Sequence, residues 1–220
     1  MSEKIKTSYR ASKNIYDDFI TQGAWWSRLY FKFFWGGVDD NEIARRTLNY
    51  IPDDFKGRLL DVPIGTAVFT WKKYQQLKDA DITGLDYSED MLSVAEKYFQ
   101  EHAITHVKMQ QGDVGNMPFA DGSFDIVLSM NGFHVFPDKG RAFSEMHRVL
   151  RKCGKLVACF YIKGKSARAD WLARNVMARK GWFTLPIDGE DDLRRRLTPC
   201  YRIEDFHVEG SMLYFCATKK

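Results

Sequence analysis

The chain has 220 residues, of which 45% are hydrophobic and 28% charged, with a formal net charge of +4. That length suits one α/β domain with a well-buried core. The charge is too small and too evenly spread to argue for a nucleic-acid binder, and no apolar run reaches the roughly 18 residues that span a bilayer.

Residues 1–50 read as helical and aromatic-rich, with Tyr16, Trp25, Trp26, Phe31 and Trp35 among the rings. The segment suits a helical cap packed on the core. It equally suits a lid over a site, with Tyr16 or Trp35 reaching in. A contact with a membrane surface is a third reading, since Arg28 and Lys32 flank the aromatics. The start, Met1-Ser2-Glu3-Lys4-Ile5-Lys6, has no apolar run of the signal-peptide kind, so a cytoplasmic protein is expected.

From Arg58 onward, predicted strands and helices alternate. Arg58–Val62 reads as a strand ending at a Pro/Gly turn, followed by a helix over Thr66–Leu77. Asp81–Leu85 is a second strand, closed by Asp86. Ser88 can cap the next helix, whose apolar side carries Met91, Leu92, Ala95, Tyr98 and Phe99. Val107–Gln110 and Phe124–Met130 are the third and fourth strands, the fourth with the unbroken apolar run of a strand buried on both faces. A helix over Asp138–Leu150 and a fifth strand over Leu156–Tyr161 complete the alternation. Such a series predicts a doubly wound, mainly parallel sheet.

Residues 163–198 interrupt the pattern with a helix near Ala167–Arg179, a loop holding Gly181 and Pro186, and a short helix near Glu190–Leu197. From Lys163 to Lys180 there are six basic residues against one acid, Asp170. That composition suits a solvated face, or steering of an anionic molecule by Arg168, Arg174 or Arg179. Tyr201–Glu209 and Met212–Thr218 are separated by only Gly210 and Ser211. A parallel crossover needs a dozen or more residues, so this pair is an antiparallel hairpin and reverses one strand of the sheet.

The chemistry-bearing residues stand at strand ends. Asp61 ends the first strand and Gly65 lets the backbone pass close to a ligand, at the place where doubly wound folds bind ligands. The same residues also suit an ordinary strand-to-helix turn. Asp86 ends the second strand, 25 residues after Asp61, where an acid can accept from both hydroxyls of a ribose. Asp113 follows the third strand; its carboxylate can accept from an exocyclic amino group while the N–H of Val114 donates to a ring nitrogen. Cys153, Cys159, Cys200 and Cys216 form no Cys-x-x-Cys pair and read as thiols in a reducing compartment. His102 and His106 straddle a helix end, and no metal-ligand spacing appears, so no metal is expected.

The run from Gln111 to Leu156 carries Gly112-Asp113, Met117-Pro118-Phe119, Phe124-Asp125, Phe133-His134, Phe136-Pro137, Glu145-Met146-His147-Arg148-Val149-Leu150 and Gly154-Lys155-Leu156. With these pieces, residues 58–162 resemble class I methyltransferases, and more closely those of ubiquinone and menaquinone biosynthesis. The resemblance implies a Rossmann-like seven-stranded sheet with its last strand reversed, S-adenosyl-L-methionine as cofactor, and a small organic acceptor. It implies that the glycine-rich motif, Asp61-Val62-Pro63-Ile64-Gly65-Thr66-Ala67, holds the methionine moiety, with Asp61 on its amino group. Asp86 would hold the ribose, with Tyr87 and Met91 lining the adenine. Gly112, Asp113 and Val114 would meet the adenine edge, and Met130-Asn131-Gly132 would run past the sulfonium. The sequence departs from the family at Pro63 and Thr66, where glycines are usual.

Methyl transfer needs mainly positioning, because the sulfonium supplies the electrophile. His134, just past the fourth strand, is the candidate general base, and Trp35, Phe133, His134 and Trp171 are candidates to line the acceptor. Two other readings fit a doubly wound fold. An NAD(P)-dependent reductase would use a Tyr-x-x-x-Lys pair, of which Tyr9/Lys13, Tyr74/Lys78 and Tyr161/Lys165 are instances, but the usual glycine-rich turn is missing. A non-catalytic partner module would have no need of Asp61, Gly65, Asp86 and Asp113 together. The expected organisation is one domain: a cap over 1–50, a cofactor core over 58–162, an acceptor-side insertion over 163–198 and a terminal hairpin over 201–218. Oligomeric state is not legible.

Overall fold

The computed structural model describes residues 39–220. Seven strands form one sheet: β1 (Arg58–Asp61), β2 (Asp81–Asp86), β3 (Val107–Gln111), β4 (Phe124–Met130), β5 (Leu150–Tyr161), β6 (Tyr201–Glu209) and β7 (Met212–Lys219). Their order is β3-β2-β1-β4-β5-β7-β6. The first five are parallel, and β7 runs antiparallel to both of its neighbours, β5 and β6. The expected α/β sheet with one reversed strand is therefore the one observed.

Strand residues alternate between two cores. Leu59, Ile126, Leu128, Val157 and Cys159 face one side, and Leu60, Val127, Leu156, Ala158 and Phe160 face the other. This is the period-two pattern of a sheet buried on both faces. On the first face lie α1 (Asp40–Leu48), α2 (Trp71–Gln76) and α3 (Glu89–Glu101), through Ile43, Tyr74, Leu92 and Phe99. On the second lie α4 (Lys139–Val149) and α6 (Glu190–Leu197), through Phe143, Met146, Leu193 and Leu197. Each fully buried Leu, Met or Phe here contributes on the order of 1.5–3 kcal/mol.

The helix starts follow their capping residues. The side chains of Asp39, Ser88 and Asp138 accept from Asn41, Met91 and Arg141 respectively, satisfying first-turn N–H groups. α1 is the described part of the expected cap; Tyr16 and Trp35 lie outside the described residues.

Three expectations change. The helix expected over Thr66–Leu77 begins only at Trp71. Gly65 (φ +57°) and Ala67 (φ +59°) are both left-handed, which breaks any right-handed helix passing through them. The fifth strand starts at Leu150 rather than Leu156, because Leu150 pairs with Phe124 and a register shift absorbs the residues before Lys155. The helix expected over Ala167–Arg179 is α5 (Ala167–Leu172) continued by a wider π turn (Ala173–Met177), in which the N–H of Ala178 donates to the carbonyl of Ala173.

Candidate functional site

The site lies at the carboxyl ends of β1 and β4, the neighbours from which the chain winds outward in opposite directions. Asp61 is the last residue of β1 and is 1% exposed. Its Oδ2 accepts from the hydroxyl of Tyr74 at 2.7 Å, and Tyr74 is itself fully buried. Its Oδ1 is buried with no hydrogen-bond partner among the described residues. Burial pushes the carboxyl up to about 7, opposed by the hydroxyls of Tyr74 and, more weakly, Thr70, and reinforced by the charge of Asp86. An unmet buried carboxylate oxygen is costly, so this atom calls for a donor or a cation.

The loop after β1 is laced to both neighbouring strands. The N–H of Val62 donates to Leu128 and that of Ile64 to Leu85, at 2.9 and 3.1 Å. The Val62–Pro63 peptide is cis. At the left-handed turn the N–H of Gly65 donates to Oδ2 of Asp86 at 2.9 Å. A Cβ placed on Gly65 would meet nothing within 4 Å among the described residues. Thr66 and Ala67 are buried beneath it.

Asp86 ends β2 and is 7% exposed. Its Oδ1 accepts from the N–H of Ser88 at 2.9 Å. Burial raises its pKa, while the N–H groups of Ser88, Gly65 and Tyr87 pull it back. A carboxylate has roughly four acceptor positions, so two backbone bonds leave capacity for a ligand's hydroxyls. Tyr87 beside it is 36% exposed, and Met91 is buried on the first turn of α3.

Asp113 is exposed, with Oδ1 accepting from the N–H of Gly115 at 2.8 Å, while Val114 turns inward. Gly112 donates to the carbonyl of Asp86 at 2.9 Å. A Cβ on Gly112 would come within 2.8 Å of Leu85 Cδ1, so a larger residue there would push the Leu85 side chain aside. The loop beyond is held from α4. Glu145 accepts from the N–H of Met117 at 2.7 Å. Arg148 donates to the carbonyls of Met117 and Phe119 and to Asp121, at 2.7–3.0 Å. The Glu145-Met146-His147-Arg148 run thus fastens the loop that presents Asp113.

After β4, Met130 is buried and Asn131 turns left-handed at φ +56°. Asn131 donates its N–H to the carbonyl of Cys159 at 2.7 Å, and its buried Oδ1 has no hydrogen-bond partner among the described residues. A Cβ on Gly132 would lie 2.6 Å from Pro63 Cδ, 2.5 Å from Phe136 Cζ and 2.7 Å from Ser129 Oγ. The unusual Pro63 is thus accommodated by the bare backbone of Gly132.

His134 is 6% exposed and stacks on Phe183 with ring centroids 4.4 Å apart. Its Nδ1 accepts from the N–H of Tyr161 at 3.4 Å. Burial, helped by the charge of Lys139, pushes its pKa down to about 3. A base working near pH 7 is served by a pKa near that value, and burial moves this ring below it. Phe133 is 1% exposed and packs on Phe136 and Phe160, which makes it a core residue. Trp171 is 60% exposed and points outward from α5.

Asp61, Gly65 and Asp86 therefore meet in one cluster, and Pro63 meets Gly132 across it. Tyr74 was not foreseen as the partner of Asp61. Its only signal was a polar ring on the inner face of the following helix. The same contact removes it from any Tyr-x-x-x-Lys dyad, since its hydroxyl is buried against Asp61; that of Tyr161 is bound to Asp170 at 2.7 Å.

Residues 60–158 match the family described as "Methyltransferase domain". A demethylmenaquinone methyltransferase of Alkalihalophilus pseudofirmus is 37% identical over 99 residues, covering 44% of this chain and 42% of its own. An uncharacterized chloroplastic methyltransferase of Arabidopsis thaliana is 27% identical over 202 residues, covering 88% of this chain and 55% of its own. The chain thus spans about half the length of the curated relatives it matches. Among solved structures, a geranyl diphosphate methyltransferase in complex with its S-adenosylmethionine has a TM-score of 0.67 at 16% identity, covering 82% of this chain and 85% of its own. A methyltransferase-like protein of Bacillus halodurans has a TM-score of 0.64 at 23% identity, covering 74% and 71%. The family match spans the ends of β1 and β2, where Asp61 and Asp86 stand, and the turn after β3 that carries Asp113, and the solved structures share the fold.

Proposed function

We propose that the protein transfers a methyl group from S-adenosylmethionine to a small organic acceptor, and that its cofactor seat is the Asp61–Gly65–Asp86 cluster. The observation that carries this is Oδ1 of Asp61, a buried acceptor at the switch point with no hydrogen-bond partner among the described residues. A methionine ammonium supplies the missing donor and positive charge. With nothing among the described residues within 4 Å of a Cβ on Gly65, the same ligand can pass close to the backbone. The residues present therefore fit the cofactor.

Each residue has a limited task. Asp61 would hold the ammonium, and Asp86 would accept from the ribose hydroxyls. Asp113 and Val114 would hold the adenine, with Tyr87 and Met91 lining it. Met130, Asn131 and Gly132 would run past the sulfonium. The cofactor supplies an electrophilic methyl group when bound, so the chain contributes positioning and exclusion of water. We assign His134 to positioning, through its stack on Phe183. The acceptor accordingly reacts without a proton transfer to this histidine.

The core over 58–162 binds the cofactor in this reading, and the insertion over 163–198 bounds the acceptor side. The similarity to demethylmenaquinone methyltransferase favours an apolar, quinol-like acceptor. No helix among the described residues is long and apolar enough to cross a membrane. All four cysteines are free thiols, which supports a reducing, cytoplasmic compartment.

Calorimetric titration with S-adenosylhomocysteine tests the seat. Wild type should bind, and Asp61→Asn should weaken binding at least about tenfold, the scale of one lost charged hydrogen bond. Absence of binding by wild type sinks the proposal. Transfer of radiolabelled methyl to a panel of lipid-soluble quinols then tests the acceptor class.

A further inference from the structure

The insertion over 163–198 presents an outward face that the proposed methyl transfer does not use. On α5 and its π continuation, Ala169, Ala173 and Met177 are buried at spacings of four and form the inner edge. Trp171 stands almost opposite that edge and is 60% exposed, with Arg174 exposed on its flank. Such exposure is unusual for a residue that normally buries most of its surface. Leu185, in the loop that follows, is 51% exposed.

Within residues 163–180 the exposed charged side chains are all basic. Asp170 is the single acid between Lys163 and Lys180, and it is turned inward: its carboxylate accepts from the Tyr161 hydroxyl and from the N–H of Gly164. Lys163 and Lys165 are paired with Asp192 and Glu190. Arg174, Arg179 and Lys180 are exposed, with the Lys180 ammonium 4.9 Å above the Trp182 ring. Arg168 adds a further exposed cation one turn before Trp171.

We infer that this face docks on an anionic lipid surface, with Trp171 at headgroup depth and Arg174, Arg179 and Lys180 against the lipid charges. Charge complementarity selects the partner. An indole is amphipathic and favours the bilayer interface, and each basic residue near an anionic leaflet contributes roughly 1 kcal/mol, or about fivefold in partitioning. A duplex or single-stranded nucleic acid would call for a longer basic track with several stacking rings, and this face offers one exposed indole on two helical turns.

The inference stands apart from the methyl-transfer reading and is tested without it. Full-length protein is sedimented with phosphatidylglycerol vesicles and with phosphatidylcholine vesicles at low salt. Binding to the anionic vesicles alone is expected, with loss as salt is raised. Trp171→Ala and the double variant Arg174→Glu/Arg179→Glu should each lower anionic-vesicle binding at least about tenfold, with unchanged circular dichroism and S-adenosylhomocysteine affinity. Equal binding by wild type and both variants overturns the inference. So does failure to bind anionic vesicles, or binding to a single-stranded RNA oligonucleotide in their place.

Discussion

The hydroxyl of Tyr74 donates to Oδ2 of Asp61 at 2.7 Å, so the acid that faces the candidate cofactor is held by a ring from the very next helix. Tyr74→Phe removes that donor and drives the Asp61 pKa further up. S-adenosylhomocysteine affinity measured calorimetrically at pH 7 should fall about tenfold, as for a hydrogen bond to a charged group. Raising the pH to 9 should restore much of it. Equal affinity at both pH values, with or without the hydroxyl, would show that Asp61 does not bind as an anion.

Asp61 should also mark the stability of the ligand-free protein. Its folded pKa of about 7 exceeds its ordinary value of 3.8, so the folded state holds the extra proton between those limits. Stability therefore falls as pH rises from about 4 to about 7, and is level above. Asp61→Asn removes this penalty while keeping an oxygen for Tyr74. Thermal unfolding should show the variant more stable than wild type at pH 8, with the gap narrowing toward pH 4. No gap at pH 8 would contradict the burial argument.

His134 carries the opposite sign. Its folded pKa is pushed down to about 3, below the ordinary 6.5. The unfolded chain then binds the extra proton, so the stability associated with neutral His134 is full above pH 6.5 and is lost as pH falls toward 3. His134→Phe retains the stack on Phe183 and should flatten this acid limb in denaturant titrations at pH 4 and 7. Methyl transfer by the variant should show no change in the shape of its pH profile.

Gly132 and Pro63 form a pair that can be measured as one. Gly132→Ala places a methyl group 2.5–2.7 Å from Phe136, Pro63 and Ser129, and should cost about 1–3 kcal/mol by overpacking. Pro63→Ala removes one of those atoms. A double-mutant cycle from urea unfolding should show the second change recovering part of the loss. Strict additivity would mean that the two loops do not press on one another.

Arg148 should matter to the cofactor without touching it. Its guanidinium spans Met117, Phe119 and Asp121 and so fixes the loop behind Asp113. Arg148→Ala should weaken S-adenosylhomocysteine binding several-fold, while Arg148→Lys, with a single ammonium in place of a fork, recovers little. Hydrogen exchange confined to residues 112–123 would rise in step.

Much of this was legible in the chain. The strand ends at Asp61, Asp86 and Asp113, the reversed strand and the hairpin follow from alternation and connection length. What escaped was conformational. Ala67 gives no hint that it is left-handed, yet it delays α2 until Trp71. Arg151, Lys152 and Gly154 hide the first half of β5, which is held by pairing with β4 rather than by its own pattern. Tyr74 looked like half of a chance Tyr-x-x-x-Lys pair, because its role depends on a residue 13 places earlier in the chain. Phe133 looked like an acceptor residue and is a core ring. In each case a long-range contact overrules the local signal.

The position of β7 between β5 and β6 bears on how the chain is made. β5 is complete at Tyr161, but the strand that covers its outer edge does not begin until Met212. During synthesis the whole insertion and β6 emerge first, and β5 waits with its backbone groups unpaired. That edge is apolar, running through Val157, Cys159 and Phe160, and is the kind of surface that recruits a foreign strand. β7, made after the insertion and β6, is thus the strand that ends this exposure to aggregation.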